Sequence, residues 1–366
     1  MAWCGILDGA TGCIGRQVYY ALLDRGFDIR ALTRQIRLVQ DAGHVSWDFV
    51  REHGLPDPCE AVINLAGASP FNLRKRWTQE YIEEVRQSKI RTNKDLISII
   101  QQSNFKPDVF VTTSHAAIYG AVEGEYVTES TDFSNKPCSS MTVIAREWEQ
   151  SAQLQQTQSL TRCVILRTGY VFGVRHDEED PDQDVVRDHI LFPMLLGSHY
   201  RRKVKEVKAL RSSALLDIMP FIHLDDFIQI IVNCIEDDRY SGVINTVAPE
   251  PANSFTVKEA FEATTMPALT STLFGGNDRE SVFFVPYVIQ SDALNRLNYS
   301  FKYPTIQQAT RRYVRAASVR GVDIILVALC LIIVVCFVTE FVIVGTPPPR
   351  LQQQDRTKYV DNERNW

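Results

Sequence analysis

Gly9-Ala10-Thr11-Gly12-Cys13-Ile14-Gly15 constrains what this chain can fold into more than any other stretch. It follows an apolar lead-in, Trp3 to Leu7, and opens an amphipathic run from Ile14 to Arg25, which gives the order strand, tight turn, helix. In such a turn the first glycine permits the bend, the second lets backbone approach a pyrophosphate, and the third lets helix pack close on strand. The N–H groups and positive dipole end of the helix start then face the anion.

The next residues repeat the α/β alternation. Gly26 is a fitting residue to end the first helix, and Ile29-Arg30-Ala31-Leu32-Thr33 reads as a second strand, completing a βαβ unit. An acidic residue at the end of this strand would bind ribose hydroxyls; Thr33-Arg34 stands there instead, and arginine suits a 2′-phosphate. Arg16 offers a second positive charge to the same group. Both arginines read equally as solvated surface cations. Trp47-Asp48 is followed by a loop and then by an apolar strand, Ala61 to Gly67, whose end at Leu65, Ala66 and Gly67 leaves room for a ligand crossing the carboxyl ends of parallel strands. A long helix over Thr78 to Gln102 carries Glu84 and Lys89, each readable as surface. Asp108 to Ser114 is a further strand.

Composition narrows the partners. The 366 residues are 45% hydrophobic and 23% charged, enough for a sizeable core, and a net charge of -5 gives no footprint for nucleic acid. Eight cysteines show no CxxC pairing and follow no secretory leader, so reduced thiols in a cytosol-like compartment are expected; seven scattered histidines lack metal spacing.

The blocks Gly9 to Gly15, Ser46-Trp47-Asp48, Asn64-Leu65-Ala66-Gly67, Lys75-Arg76-Trp77, Ile118-Tyr119-Gly120, Leu166-Arg167-Thr168-Gly169, Ile222-His223-Leu224-Asp225-Asp226 and Ala248-Pro249-Glu250-Pro251 occur in this order. Together they resemble the atypical extended short-chain dehydrogenase/reductases of the epimerase family, over roughly residues 3 to 315. The resemblance implies an NADP-binding Rossmann fold. By position it implies cofactor contacts at Thr33 and Arg34, at Leu65 and Ala66, at Glu84 and Lys89, and at Val171, beside the turn residues Gly9, Thr11, Gly12, Cys13, Ile14 and Gly15 and the strand-end Gly67 read from the residues themselves. Short-chain dehydrogenases use a Tyr and a Lys four residues apart, the lysine lowering the tyrosine pKa so that the phenol exchanges a proton with the substrate carbonyl. Alignment on Trp148-Glu149 places Met141 and Ala145 at those positions, and neither titrates. Ser114, His115 and Tyr119 remain as substitute candidates, His115 as a proton shuttle near neutral pH. The catalytic residue is unknown at this stage.

Beyond strand Cys163 to Arg167 the chain departs from the family. An acidic run, Asp177 to Asp188, and a basic run, Arg201 to Arg211, stand where a substrate lobe is built. The acidic run reads as a solvated loop, and the basic run as a polar face that pairs with it or as a site for an anionic small-molecule substrate or lipid headgroup. Strand Val243 to Val247 and a helix Val257 to Thr264, capped by Ser254 or Thr256, complete the lobe.

Ile324 to Val344 is apolar except for Thr339 and Glu340. At about 1.5 Å per residue it spans roughly 30 Å, the hydrocarbon thickness of a bilayer. Flanking arginines and lysines nearly balance, so orientation is taken from the cofactor and the thiols: the folded domain faces the cytosol, anchored to the endoplasmic reticulum or outer mitochondrial membrane. The expected architecture is a Rossmann-type doubly wound α/β domain (1–245, with part of the substrate lobe at 170–220), a small C-terminal lobe (246–316), one transmembrane helix (322–345) and a polar tail (346–366). Two functions fit: an NADP-dependent oxidoreductase or epimerase of unknown substrate, or a non-catalytic NADP-binding redox sensor or membrane-tethered scaffold.

Overall fold

The computed structural model describes residues 4–34, 43–70, 75, 77–120, 126–153, 160–173, 218–253, 256 and 285–310, all within the compact unit Met1–Ala317. In chain order the elements are β1 (Cys4–Asp8), α1 (Cys13–Leu23), β2 (Asp28–Thr33), β3 (His44–Ser46), α2 (Trp47–His53), β4 (Ala61–Asn64), α3 (Gln79–Gln102) and β5 (Val109–His115). A 3-10 turn (Ala116–Tyr119), β6 (Tyr126–Val127), α4 (Ser140–Ala152), β7 (Arg162–Thr168) and β8 (Tyr170–Phe172) follow. The described chain ends with β9 (Ile218–Met219), β10 (Phe221–His223), α5 (Leu224–Glu236), β11 (Gly242–Thr246), β12 (Ala252–Asn253), β13 (Val288–Ile289) and α6 (Asp292–Arg296).

Seven strands form one parallel sheet in the order β3-β2-β1-β4-β5-β7-β11. The order reverses direction at β1, which puts a topological switch point between β1 and β4, where α/β sheets take ligands. Side-chain alternation sorts the core into two layers. Leu7 joins Val18 and Leu22 of α1 and Phe227 and Ile231 of α5 on one face, while Ile6 joins Val50 of α2 and Leu96 and Ile100 of α3 on the other. Each such side chain, fully buried, contributes about 1.5–3 kcal/mol. A third core gathers Tyr119, Met141, Phe172, Phe221 and Tyr287, with the short pairs β8/β10, β9/β12 and β6/β13 around it.

Two sequence expectations change. The residues after Trp47 are not a loop: Ser46 Oγ accepts the Phe49 N–H at 3.0 Å, Asp48 sits in the first turn, and α2 runs to Gly54, whose φ of +81° ends it. The strand at Ala61 stops at Asn64, because the Asn64 side chain accepts the Ala66 N–H at 3.0 Å and turns the chain out of the sheet. The helix expected at Val257 to Thr264, both charge runs and the membrane helix at 322–345 lie outside the described residues. Among the described residues no helix is long and apolar enough to cross a membrane.

Candidate functional site

The glycine turn is assembled as its spacing requires. Gly9 has a φ of +90°, and a Cβ there would stand 2.7 Å from the Ala66 nitrogen, so Leu65 and Ala66 lie directly against the turn. A Cβ on Gly15 would overlap the Gly9 carbonyl, which is the close helix-to-strand approach. A Cβ on Gly12 would meet only the Gly9 oxygen, at 3.3 Å, so the outer side of the turn is open. Gly12 caps α1 with backbone alone, and Thr11 and Gly12 are exposed. An open cradle of this kind at an 11-residue helix start fits a pyrophosphate.

The other cofactor candidates distribute around this turn. Thr33 is buried at the end of β2, and Arg34 is exposed just beyond it, its charge felt by Asp8 at the end of neighbouring β1. The guanidinium of Arg16 stands 5.9 Å over the Tyr20 ring on the same helix. Gly67, with φ of +130°, packs on Lys89: a Cβ would lie 2.7 Å from its Cγ and 3.1 Å from its Nζ. Lys89 is 7% exposed, its amine 3.8 Å from the Trp148 ring centroid, and burial pushes its pKa down to about 7. Glu84 is half exposed and paired with Lys75 at 2.6 Å. Val171 lies buried in the core that also holds Ala10. Thus Gly9–Gly15, Leu65–Gly67 and Lys89 converge by direct packing and Thr33 and Arg34 adjoin them through Asp8, whereas Glu84 is engaged by an ion pair and Val171 is a core side chain.

The substitute acids fare differently. Met141 and Ala145 on α4 are fully buried, and Ser114 Oγ is turned onto the Ala145 carbonyl at 3.4 Å. Tyr119 is consumed by structure. Its hydroxyl donates to Asn245 Oδ1 at 2.6 Å and accepts from Arg167 Nη1 at 2.9 Å, while Arg167 makes a two-pronged pair with Glu149 at 2.9 and 2.7 Å. Burial raises the Tyr119 pKa to about 12 despite the adjacent guanidinium. His115 Nδ1 accepts the Ala117 N–H at 3.1 Å, and burial, aided by Lys89, lowers its pKa to about 3. A shuttle at neutral pH needs a ring that titrates there, and burial disfavours the charged form of this one.

One residue of the site goes unnoticed in the sequence. Asp8, between the apolar strand and Gly9, is 6% exposed; Trp47 Nε1 donates to its Oδ1 at 3.3 Å, and among the described residues its Oδ2 has no hydrogen-bond partner. The available signal is an acid ending an otherwise apolar strand directly before the first turn glycine.

The strand order, the switch point and the open glycine cradle define a Rossmann-type dinucleotide-binding protein. The chain belongs to the NAD dependent epimerase/dehydratase family, whose model matches residues 6–246. It is similar to the human epimerase family protein SDR39U1, 28% identical over 255 residues that cover 68% of this chain and 76% of that protein. The crystal structure of human SDR39U1 (isoform 2) with NADPH superposes with a TM-score of 0.67 at 23% identity, covering 85% of this chain and 98% of that one. MoeE5 in complex with UDP-glucose and NAD superposes with a TM-score of 0.60 at 17% identity, covering 87% and 99%. The epimerase-family resemblance read from the sequence blocks is borne out.

Proposed function

We propose that this protein binds NADP(H) across the glycine turn, with Arg34 on the 2′-phosphate, and that it works as a cofactor-responsive, membrane-tethered protein without the proton-transfer chemistry of a short-chain dehydrogenase. The observation that carries this reading is on α4: Met141 and Ala145, which alignment on Trp148-Glu149 puts where a phenol and an amine are needed, are both fully buried. Bound NADP(H) supplies a hydride donor or acceptor, but the residues around it must then hold or move the matching proton. Ser114 is turned to a backbone carbonyl, Tyr119 is locked by Arg167 and Asn245, and His115 is neutral. The cofactor bound by the human relative in its crystal structure is NADPH, which supports the choice of NADP.

A second reading, an oxidoreductase or epimerase acting on an anionic or sugar-like carbonyl compound, is favoured by Lys89. Its buried amine, balanced between charge states near neutral pH, stands beneath Gly67 and within electrostatic reach of His115. A sugar nucleotide is the substrate class this reading takes, as in the complex of MoeE5 with UDP-glucose. Incubation with NADP and a panel of UDP-sugars, followed by product analysis, separates the two readings. Tight cofactor binding with turnover far below about 10 per second supports the first, and robust turnover abolished by Lys89→Met establishes the second.

The apolar segment Ile324 to Val344 is proposed to cross the membrane of the endoplasmic reticulum or outer mitochondrion, leaving the dinucleotide domain in the cytosol. The length and composition of the segment support this. Release by alkaline carbonate removes the anchor, and a dinucleotide domain protected from added protease in intact vesicles reverses the orientation.

A further inference from the structure

Asp8 stands where two anions are expected to meet. Its Cα pairs in register with Leu32 of β2 and Asn64 of β4, so it lies at the switch point, one residue before the pyrophosphate cradle and beside the strand end that carries Thr33 and Arg34. The side chain leaves the sheet on the face of Trp47, whose indole N–H holds Oδ1, and the residue is buried with Oδ2 accepting no hydrogen bond from the described residues. A buried carboxylate normally satisfies both oxygens or gives up its charge. Among the described residues the facing groups are few. From β2 the charge that reaches Asp8 is Arg34; from α2 it meets the neutral Trp47 indole, with Asp48 and Arg51 exposed to solvent; from β4 the neighbour is the uncharged Asn64, bonded to Asn93 and Ala66; and the Gly9 backbone N–H favours the charged form by hydrogen bonding.

We propose that Asp8 is a specificity-determining residue that couples protonation to cofactor choice: it shares the field of Arg34 with the 2′-phosphate, and takes up a proton when a 2′-phosphorylated dinucleotide binds. The proposal rests on the NADP reading above. Before binding, Arg34 partly offsets the Asp8 charge, the smallest of three effects that work against burial. When a phosphate dianion claims the same guanidinium, that offset is divided, the carboxylate is left buried beside an anion, and its neutral form is favoured. The proton comes from solvent and resides on Oδ2, the oxygen that accepts nothing. Burial already sets the free protein close to this transition, with the Asp8 pKa raised to about 6. An unphosphorylated dinucleotide brings only the pyrophosphate charge, which both cofactors share, and leaves Arg34 to Asp8.

The test is calorimetric titration of the full chain in detergent with NADPH and with NADH, from about pH 5 to about pH 8, in buffers of different ionisation heat so that proton uptake is read directly. The 2′-phosphate titrates in the same range, so the quantity that matters is the difference between wild type and Asp8→Asn, whose fold is checked by circular dichroism. Wild type is expected to take up more protons than the variant on binding NADPH, and the excess should be smaller on binding NADH. At about pH 8 Asp8→Asn is expected to gain roughly three- to tenfold more affinity for NADPH than for NADH. Equal proton uptake by both proteins overturns the proposal, as does a variant that binds both cofactors more weakly at every pH, since Asp8 would then be a ribose acceptor. Should wild type bind neither cofactor, the NADP reading falls and this proposal with it; NADPH binding without the Asp8-dependent difference removes this proposal alone.

Discussion

Arg167 shows how much of the chemistry near α4 has been given over to structure. Its side chain is 4% exposed and that of Glu149 9%, so the pair is desolvated and depends on its full set of bonds, including the Tyr119 hydroxyl. Replacing Arg167 with Met leaves a buried carboxylate uncompensated, an expected loss of about 3–5 kcal/mol in chemical denaturation. The double replacement Arg167→Met with Glu149→Leu should recover most of it; no recovery would show that the guanidinium acts through packing on Tyr119 and Phe133. Asp8 behaves oppositely. Its carboxyl titrates in the folded protein near pH 6, above its ordinary value of 3.8, so the native state binds the extra proton between those values. The stabilisation that this proton confers is fully present below about pH 4 and is lost as pH rises through about pH 6, at a cost of order 2–3 kcal/mol. Asp8→Asn should therefore gain stability relative to wild type across that window, with a constant difference above it; thermal unfolding at a series of pH values reads this. Neither role was legible in the sequence. Tyr119 lies 48 and 126 residues from its partners Arg167 and Asn245, and Asp8 lies 39 from Trp47, distances over which no local pattern reports.

Elements whose signals are local were legible. The glycine turn, α1, β2, α3 with its Thr78 cap, and β5 follow from glycine spacing, apolar periodicity and capping residues within a few positions of one another. The short α2 is not legible because its seven residues bury only Trp47 and Val50, too few to show a period. Within the turn the glycines divide by role, and substitution separates them. Gly15→Ala forces α1 away from the Gly9 carbonyl and should lower the unfolding midpoint and cofactor affinity together. Gly12→Ala meets only one oxygen at 3.3 Å, so the fold should hold while the methyl group occupies the cradle. NADPH affinity should then fall about tenfold or more with the unfolding midpoint nearly unchanged. Retained affinity in Gly12→Ala would mean that the phosphates do not cross this turn.

At the scale of the molecule, the family fold carries an open glycine cradle, while α4 buries Met141 and Ala145 where the proposed alignment puts the phenol and amine. The sequence blocks carried the fold class and family because they sit at strand ends and turns, where spacing is set by the sheet. The substrate lobe was not legible, since 174–217 departs from the family pattern and no residue there can be placed by analogy. What unites the site is Arg34 at the end of β2, next to Asp8 and one strand from the turn. The most direct test of the account is titration of the full chain in detergent with NADPH and NADH at neutral pH, for wild type and Arg34→Ala. A charge-assisted bond to the 2′-phosphate is worth on the order of 1.5–3 kcal/mol, so NADPH should bind roughly tenfold or more tightly than NADH, and Arg34→Ala should bring the two together. Equal affinities in wild type, or an NADPH affinity untouched by Arg34→Ala, would contradict it.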